Sequence, residues 1–226
     1  MFCADWALVK HRSHEITVSP LLCKCWTCDT CRPIRAARLV REAQSGKPTR
    51  FITLTSRRTP GACPHRAARA LVIAWRTIRL EYLKRHGRRS LAFLAVFEAT
   101  KQGWPHLHIV VRSKWIDQRW LSDRMNSLTG SPVVDVRKVT GVRKVAAYVA
   151  KYIGKNPHRF IGVKRYWRSL DYLFPVPDID KDDTECPEYT SIHKFNWLTE
   201  VRYYVEQGYT AVFERNQCIL TPGKPP

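Results

Sequence analysis

Two histidines separated by one residue, His106 and His108, close the segment EATKQGWPHLH that begins at Glu98. In a strand, alternate side chains leave the same face about 7 Å apart, so both imidazoles would project together and Leu107 would point the other way. Two neutral imidazoles so placed can converge on one divalent ion. Glu98, at the end of the preceding strand, could add a carboxylate across a hairpin, leaving positions open for a substrate oxygen. By itself an H-x-H pair also suits surface or core histidines.

Two tyrosines form the second group. Tyr148 and Tyr152 lie four apart in YVAKYIGK, stacked on one helix face with Lys151 and Lys155 beside it. A phenol next to a cation and a metal is a competent nucleophile toward a phosphodiester, because positive charge favours the phenolate. Two core tyrosines on an amphipathic helix have the same spacing.

The third group is the run Cys23, Cys25, Cys28 and Cys31, which holds four of the eight cysteines. Thiolates this close repel one another and are commonly neutralised by zinc. An iron–sulfur cluster and free thiols are the alternatives, and Cys3, Cys63, His14 or His65 could replace one member of the set. Arg32, Arg35, Arg38 and Arg41 follow at every third residue, as a face for phosphate contact or as a solvated basic face. Trp104, in the turn before the histidines, is a candidate for stacking on an unpaired base, or an exposed packing residue.

The elements that must carry these groups follow from the pattern. Pro33–Ser45 reads as a helix closed by Gly46, and RFITLT over Arg50–Thr55 as a strand. Pro64–His86 is a long helix with Ala67, Leu71, Ala74, Trp75, Ile78 and Tyr82 as its apolar stripe. Leu91–Glu98 and His106–Arg112 are two strands joined through Gln102-Gly103-Trp104-Pro105. Lys114–Leu128 is a helix, Pro132–Val139 a strand and Val142–Ile153 a helix ended by Gly154. Less regular sequence follows, with a helix expected at Phe195–Glu206 and a strand at Tyr209–Phe213. The order β-α-β-β-α-β-α from residue 50 predicts an α+β fold: a central antiparallel sheet with helices on one face. The expected division is 1–48 for the cysteine cluster and basic helix, 49–170 for the core, and 171–226 for an acidic linker and C-terminal appendage.

Composition narrows the partner. The chain has 226 residues and a formal net charge of +20. Residues 1–170 carry 34 basic against 9 acidic side chains, which points to a polyanion. The longest apolar run, Leu91–Phe97, is far short of the roughly 20 residues that cross a bilayer. No membrane partner is expected, and the N-terminal residues lack a signal-peptide pattern. The expectation is a soluble, cytoplasmic protein. Asp171–Glu188 gathers acid among prolines and reads as a solvated linker, or as a segment competing with nucleic acid for a basic groove.

Taken together, FITLT, then E-x4-G-x-P-H-x-H, then Y-x-x-K-Y resembles the HUH endonuclease superfamily. More closely it resembles the two-tyrosine rolling-circle replication initiators of single-stranded DNA bacteriophages, the microvirus- and inovirus-like initiators. The likeness covers roughly residues 20–170, and RYWRS over Arg165–Ser169 looks like a basic segment common after their tyrosine helix. It implies an RRM-like HUH fold with an added N-terminal zinc-binding segment. It also implies a nicking endonuclease that initiates rolling-circle DNA replication, with Mg2+ or Mn2+ held by His106, His108 and Glu98. Tyr148 and Tyr152 would be the nucleophiles, Lys151 would assist, and a 5′-phosphotyrosyl link would form at single-stranded origin DNA. Host replication helicase and polymerase are the further implied partners, in the cytoplasm of a bacterial host cell; the chain has no G-x-x-x-x-G-K-[ST] phosphate loop of its own. An HUH transposase or relaxase, and a non-catalytic zinc-containing nucleic-acid-binding protein, are the alternatives.

Overall fold

The computed structural model describes residues 3–141, 159–174, 186–214 and 217–223. In chain order the elements are β1 (Trp6–His11), β2 (Ile16–Pro20), α1 (Cys31–Ser45), β3 (Arg50–Thr55), α2 (Pro64–Arg85), β4 (Phe93–Ala99) and β5 (Pro105–Val111). They continue with α3 (Gln118–Thr129), β6 (Val134–Lys138), β7 (Tyr166–Arg168), β8 (Glu188–His193), α4 (Trp197–Glu206), β9 (Tyr209–Glu214) and β10 (Gln217–Pro222). The chain is α+β, with two antiparallel five-stranded sheets. The helix expected at Val142–Ile153 lies outside the described residues, and with it Tyr148, Lys151, Tyr152 and Lys155.

Contacts divide the chain into two compact units: residues 36–175, and residues 1–35 with 176–226. In the larger unit the strand order is β6-β3-β5-β4-β7. Because every pairing is antiparallel, β3 and β4 run parallel with β5 inserted between them, joined by α2. Likewise β5 and β6 run parallel with β3 between them, joined by α3. Two interleaved split βαβ units result, with β3 and β5 at the centre.

The core of this unit lies on the face of the sheet covered by α2 and α3. Ile52 and Leu54 of β3, Ala95 and Phe97 of β4, and Leu107, Ile109 and Val111 of β5 meet Leu71, Trp75 and Ile78 of α2 and Leu121 and Met125 of α3. The alternation predicted for RFITLT is what supplies this face. In α2 the buried alanine is Ala68; the predicted Ala67 is partly exposed. The carboxylate of Asp117 caps α3 by accepting from the N–H groups of Arg119 and Trp120, and Gly130 ends it at a φ of 69°. Gly103, at a φ of 76°, closes the β4–β5 turn by donating its N–H to Thr100 O at 2.8 Å.

Residues 165–169, read only as a basic segment, contain the edge strand β7, which pairs Tyr166 with Val96 and Arg168 with Leu94. In the smaller unit the order is β8-β1-β2-β10-β9. Ala7, Val9, Ile16, Val18, Cys218 and Leu220 form its core with Val201 of α4. The terminal segments, expected as separate appendages, are therefore two halves of one sheet.

Candidate functional site

His106 and His108 lie on β5, the central strand, and face away from the core that Leu107 and Ile109 enter. The register sets their neighbours. Thr53 of β3 lies opposite His108 and Thr55 opposite His106, while Glu98 of β4 lies opposite His106 from the other side. Thr53 Oγ1 is 3.1 Å from His108 Nδ1, and Thr55 Oγ1 is 3.4 Å from His106 Nδ1. Glu98 Oε2 is 2.8 Å from His108 Nε2. Phe51 stacks on the His108 ring at 5.6 Å and 24°. Both imidazoles are thus oriented by hydroxyls that sequence reasoning overlooked. The signal was present, because FITLT puts two threonines at the same two-residue spacing as the histidines.

Burial holds His106 below the ordinary imidazole range; the nearby His108 acts in the same direction, and Glu98 opposes it. A neutral ring keeps a lone pair for a metal or a proton. At His108 the carboxylate favours the tautomer with hydrogen on Nε2, so Nδ1 accepts from the Thr53 hydroxyl. A cation replacing that proton would meet an imidazole nitrogen and a carboxylate oxygen that are 2.8 Å apart. The hydroxyl would then accept from Nδ1–H, the support that metal-bound imidazoles usually have. The donors therefore suit a divalent ion. They are not drawn together into a closed set, however: the two imidazole ring centroids are 6.3 Å apart.

Such a closed set does occur among the thiols. The sulfurs of Cys3, Cys23, Cys28 and Cys31 all lie within 4.8 Å of one another, the one such group of three or more Cys, His or carboxylate donors among the described residues. Cys3 and Cys31 are 3.2 Å apart, and Cys23 and Cys31 3.6 Å. Tetrahedral zinc with bonds of about 2.3 Å requires sulfur–sulfur separations of roughly 3.8 Å, so the spacing fits that ion. The N–H of Cys23 donates to Cys3 Sγ at 3.3 Å and that of Cys31 to Cys28 Sγ at 3.4 Å. The backbone N–H of Cys25 lowers the Cys23 thiol to about 6 despite some desolvation, with smaller help from the other thiols. Burial, with hydrogen bonds to Cys3 and Cys23, pushes the Cys31 thiol up to about 12. A cation here would take the place of protons the thiols now share.

Cys25, expected in this set, is outside it; its thiol donates instead to Cys23 O at 3.5 Å. Cys3 holds the fourth place. Trp104, expected as a stacking surface, is 7% exposed, and its indole N–H donates to Ser56 O at 2.9 Å. It braces the hairpin and offers no free face to a base. Three arginines of α1 have local partners. Arg32 pairs with Asp29 at 3.0 Å, Arg35 lies 4.8 Å over the Trp26 ring, and Arg38 pairs with Glu42 at 3.2 Å. Arg41 is exposed.

Residues 49–157 match a family model described as a replication-associated protein of the ORF2 type. The matched stretch holds β3 to β6, the histidine pair and the tyrosine segment; the cysteine cluster and the α1 arginines precede it. It supports a replication-initiator role for the chain, and with it DNA binding. No curated protein and no solved structure matches. No helix among the described residues is long and apolar enough to cross a membrane.

Proposed function

We propose that the chain is an HUH-type replication initiator on an RRM-like sheet, which nicks one strand of single-stranded origin DNA and keeps the 5′ end as a phosphotyrosine. The observation that carries this reading is the histidine pair on the central strand, each ring fixed by a threonine of β3 and one joined to Glu98. The family match over residues 49–157 supports it. His106, His108 and Glu98 would hold Mg2+ or Mn2+. When bound, the ion supplies charge that polarises the scissile phosphate.

The chain's own residues do the rest. A tyrosine hydroxyl, Tyr148 or Tyr152, loses its proton and attacks phosphorus; the phosphorus–O3′ bond breaks and a free 3′-OH leaves. Lys151 favours the phenolate and offsets phosphate charge. Transfer of the strand back to a 3′-OH reverses the same bonds, and a second tyrosine permits two successive transfers. Zinc on Cys3, Cys23, Cys28 and Cys31 would be structural, and Arg41 and Lys155 would bind phosphate.

The test is a denaturing gel of each variant incubated with a labelled origin strand and Mn2+. Tyr148→Phe and Tyr152→Phe should each retain some adduct, and the double variant none. His106→Ala with His108→Ala should abolish cleavage and leave metal-free binding nearly intact. Undiminished adduct from the double Phe variant, or cleavage in excess EDTA, would overturn the proposal.

A further inference from the structure

At the end of the central sheet away from the histidines lies a depression of about 430 Å³ lined by Arg50, Arg88, Arg112, Lys114 and Lys138, the rest of its lining being uncharged. Arg50 and Lys138 face each other across β3 and β6, Arg112 directly follows β5, and Arg88 follows α2. Among the described residues none of the five has a carboxylate partner, unlike Arg32, Arg38, Arg124 and Arg168. Cations concentrated without a counter-charge create a local field that an external anion must neutralise.

Two of the guanidinium groups are held in place from within the fold. Arg50 donates to Thr49 O at 2.9 Å and also to Lys114 O. Arg112 donates to Asp171 O at 2.7 Å and to Tyr172 O at 3.2 Å, and lies 4.2 Å over the Phe174 ring. A guanidinium has five N–H donors, so each keeps several for an incoming oxygen, and its fork suits phosphate. Lys114, Lys138 and Arg88 are exposed and add charge around these two.

We propose that this pocket holds backbone phosphates of the bound strand at a distance from the nicking site, as a second anchor on the DNA. The inference rests on the initiator reading above. Arg50 and Thr55 are five residues apart on β3, which places the pocket about 17 Å from the His106 end of the sheet. A strand long enough to reach gains affinity there, and a short one does not. A free polyphosphate such as a nucleoside triphosphate offers the same chemistry, so the test separates the two.

The full chain is titrated, without divalent metal, with labelled dT4 and dT16, which bracket the 4–16 nucleotides that single-strand binding faces typically cover. The variant carries R88Q, K114Q and K138Q, three exposed positions whose side chains make no hydrogen bond within the described residues. The expected result is a slope of log K against log[salt] on dT16 shallower by about 2, from roughly 0.7 per lost phosphate contact. Affinity for dT16 should fall toward that for dT4, while dT4 binding is unchanged. K138E alone should produce at least a third of the change, and the urea midpoint of each variant checks its fold. An unchanged slope and affinity on dT16, or an equal loss on dT4, would overturn the proposal. Saturable binding of a nucleoside triphosphate that the triple variant loses while keeping the dT16 slope would make this a free-nucleotide site, and would overturn it too. Since binding is read without cleavage, failure here and failure to nick are separate results.

Discussion

The hydroxyl of Thr53, 3.1 Å from His108 Nδ1, can donate or accept, so it suits the ring whether Nε2 carries a proton or faces a cation. Thr53→Val keeps the volume and removes that support. The expected outcome is a rise of about 10–100-fold in the Mn2+ concentration that half-saturates nicking, with the far-UV circular dichroism unchanged. Identical metal dependence in the variant would show that the hydroxyl only packs. The thiols allow a parallel comparison. Cys3→Ser should release zinc from a protein that otherwise binds about one ion, and Cys25→Ser should retain it. Elemental analysis after purification without chelator decides, and equal zinc in both variants would return Cys25 to the site. The run C-x-C-x-x-C-x-x-C suggested a local quartet, but Cys3 is twenty positions before Cys23 in chain and reaches the cluster through long-range folding. Spacing alone could not display that.

β5 carries both functions of the central sheet, with imidazoles on one face and Leu107, Ile109 and Val111 in the core on the other. Leu107 is fully buried between the two histidines in sequence. Leu107→Ala should cost about 2–5 kcal/mol, as a lower urea midpoint at constant m-value. The control is Ile73→Ala on the exposed side of α2, which should stay within about 0.5 kcal/mol. If the two substitutions cost the same, the core is not where the structure puts it. Elements of this kind were legible in the sequence, because α2, β3 and β5 announce themselves by period and length. The three-residue β7 was not, since its strand character comes from pairing with β4. Trp104 misled for a related reason: a turn position suggests exposure, but Ser56 O offers a buried acceptor that no local pattern reveals.

At the scale of the whole molecule the charge of +20 sets how binding responds to salt. If about six phosphates are neutralised, the slope for a single strand is about −4, and a threefold rise in salt should lower affinity about 100-fold. Fluorescence anisotropy on a labelled oligonucleotide measures this directly. A flat profile would mean that the excess charge is not used on phosphates. Composition made this property visible at once, whereas the division of the chain stayed hidden because strand pairing across the smaller unit spans most of the sequence.

That pairing sets an order of events on the ribosome. β1 and β2 form the centre of a sheet whose outer strands begin at Glu188, so the hairpin leaves the exit tunnel well before either neighbour exists. At about 5–20 residues per second the wait is roughly 10–30 seconds, long enough for the strands of the larger unit to pair first. A nascent chain arrested just after residue 175 should therefore be cut readily by protease within residues 6–20 and resist within β3–β5; equal protection of both stretches would show that the hairpin does not wait.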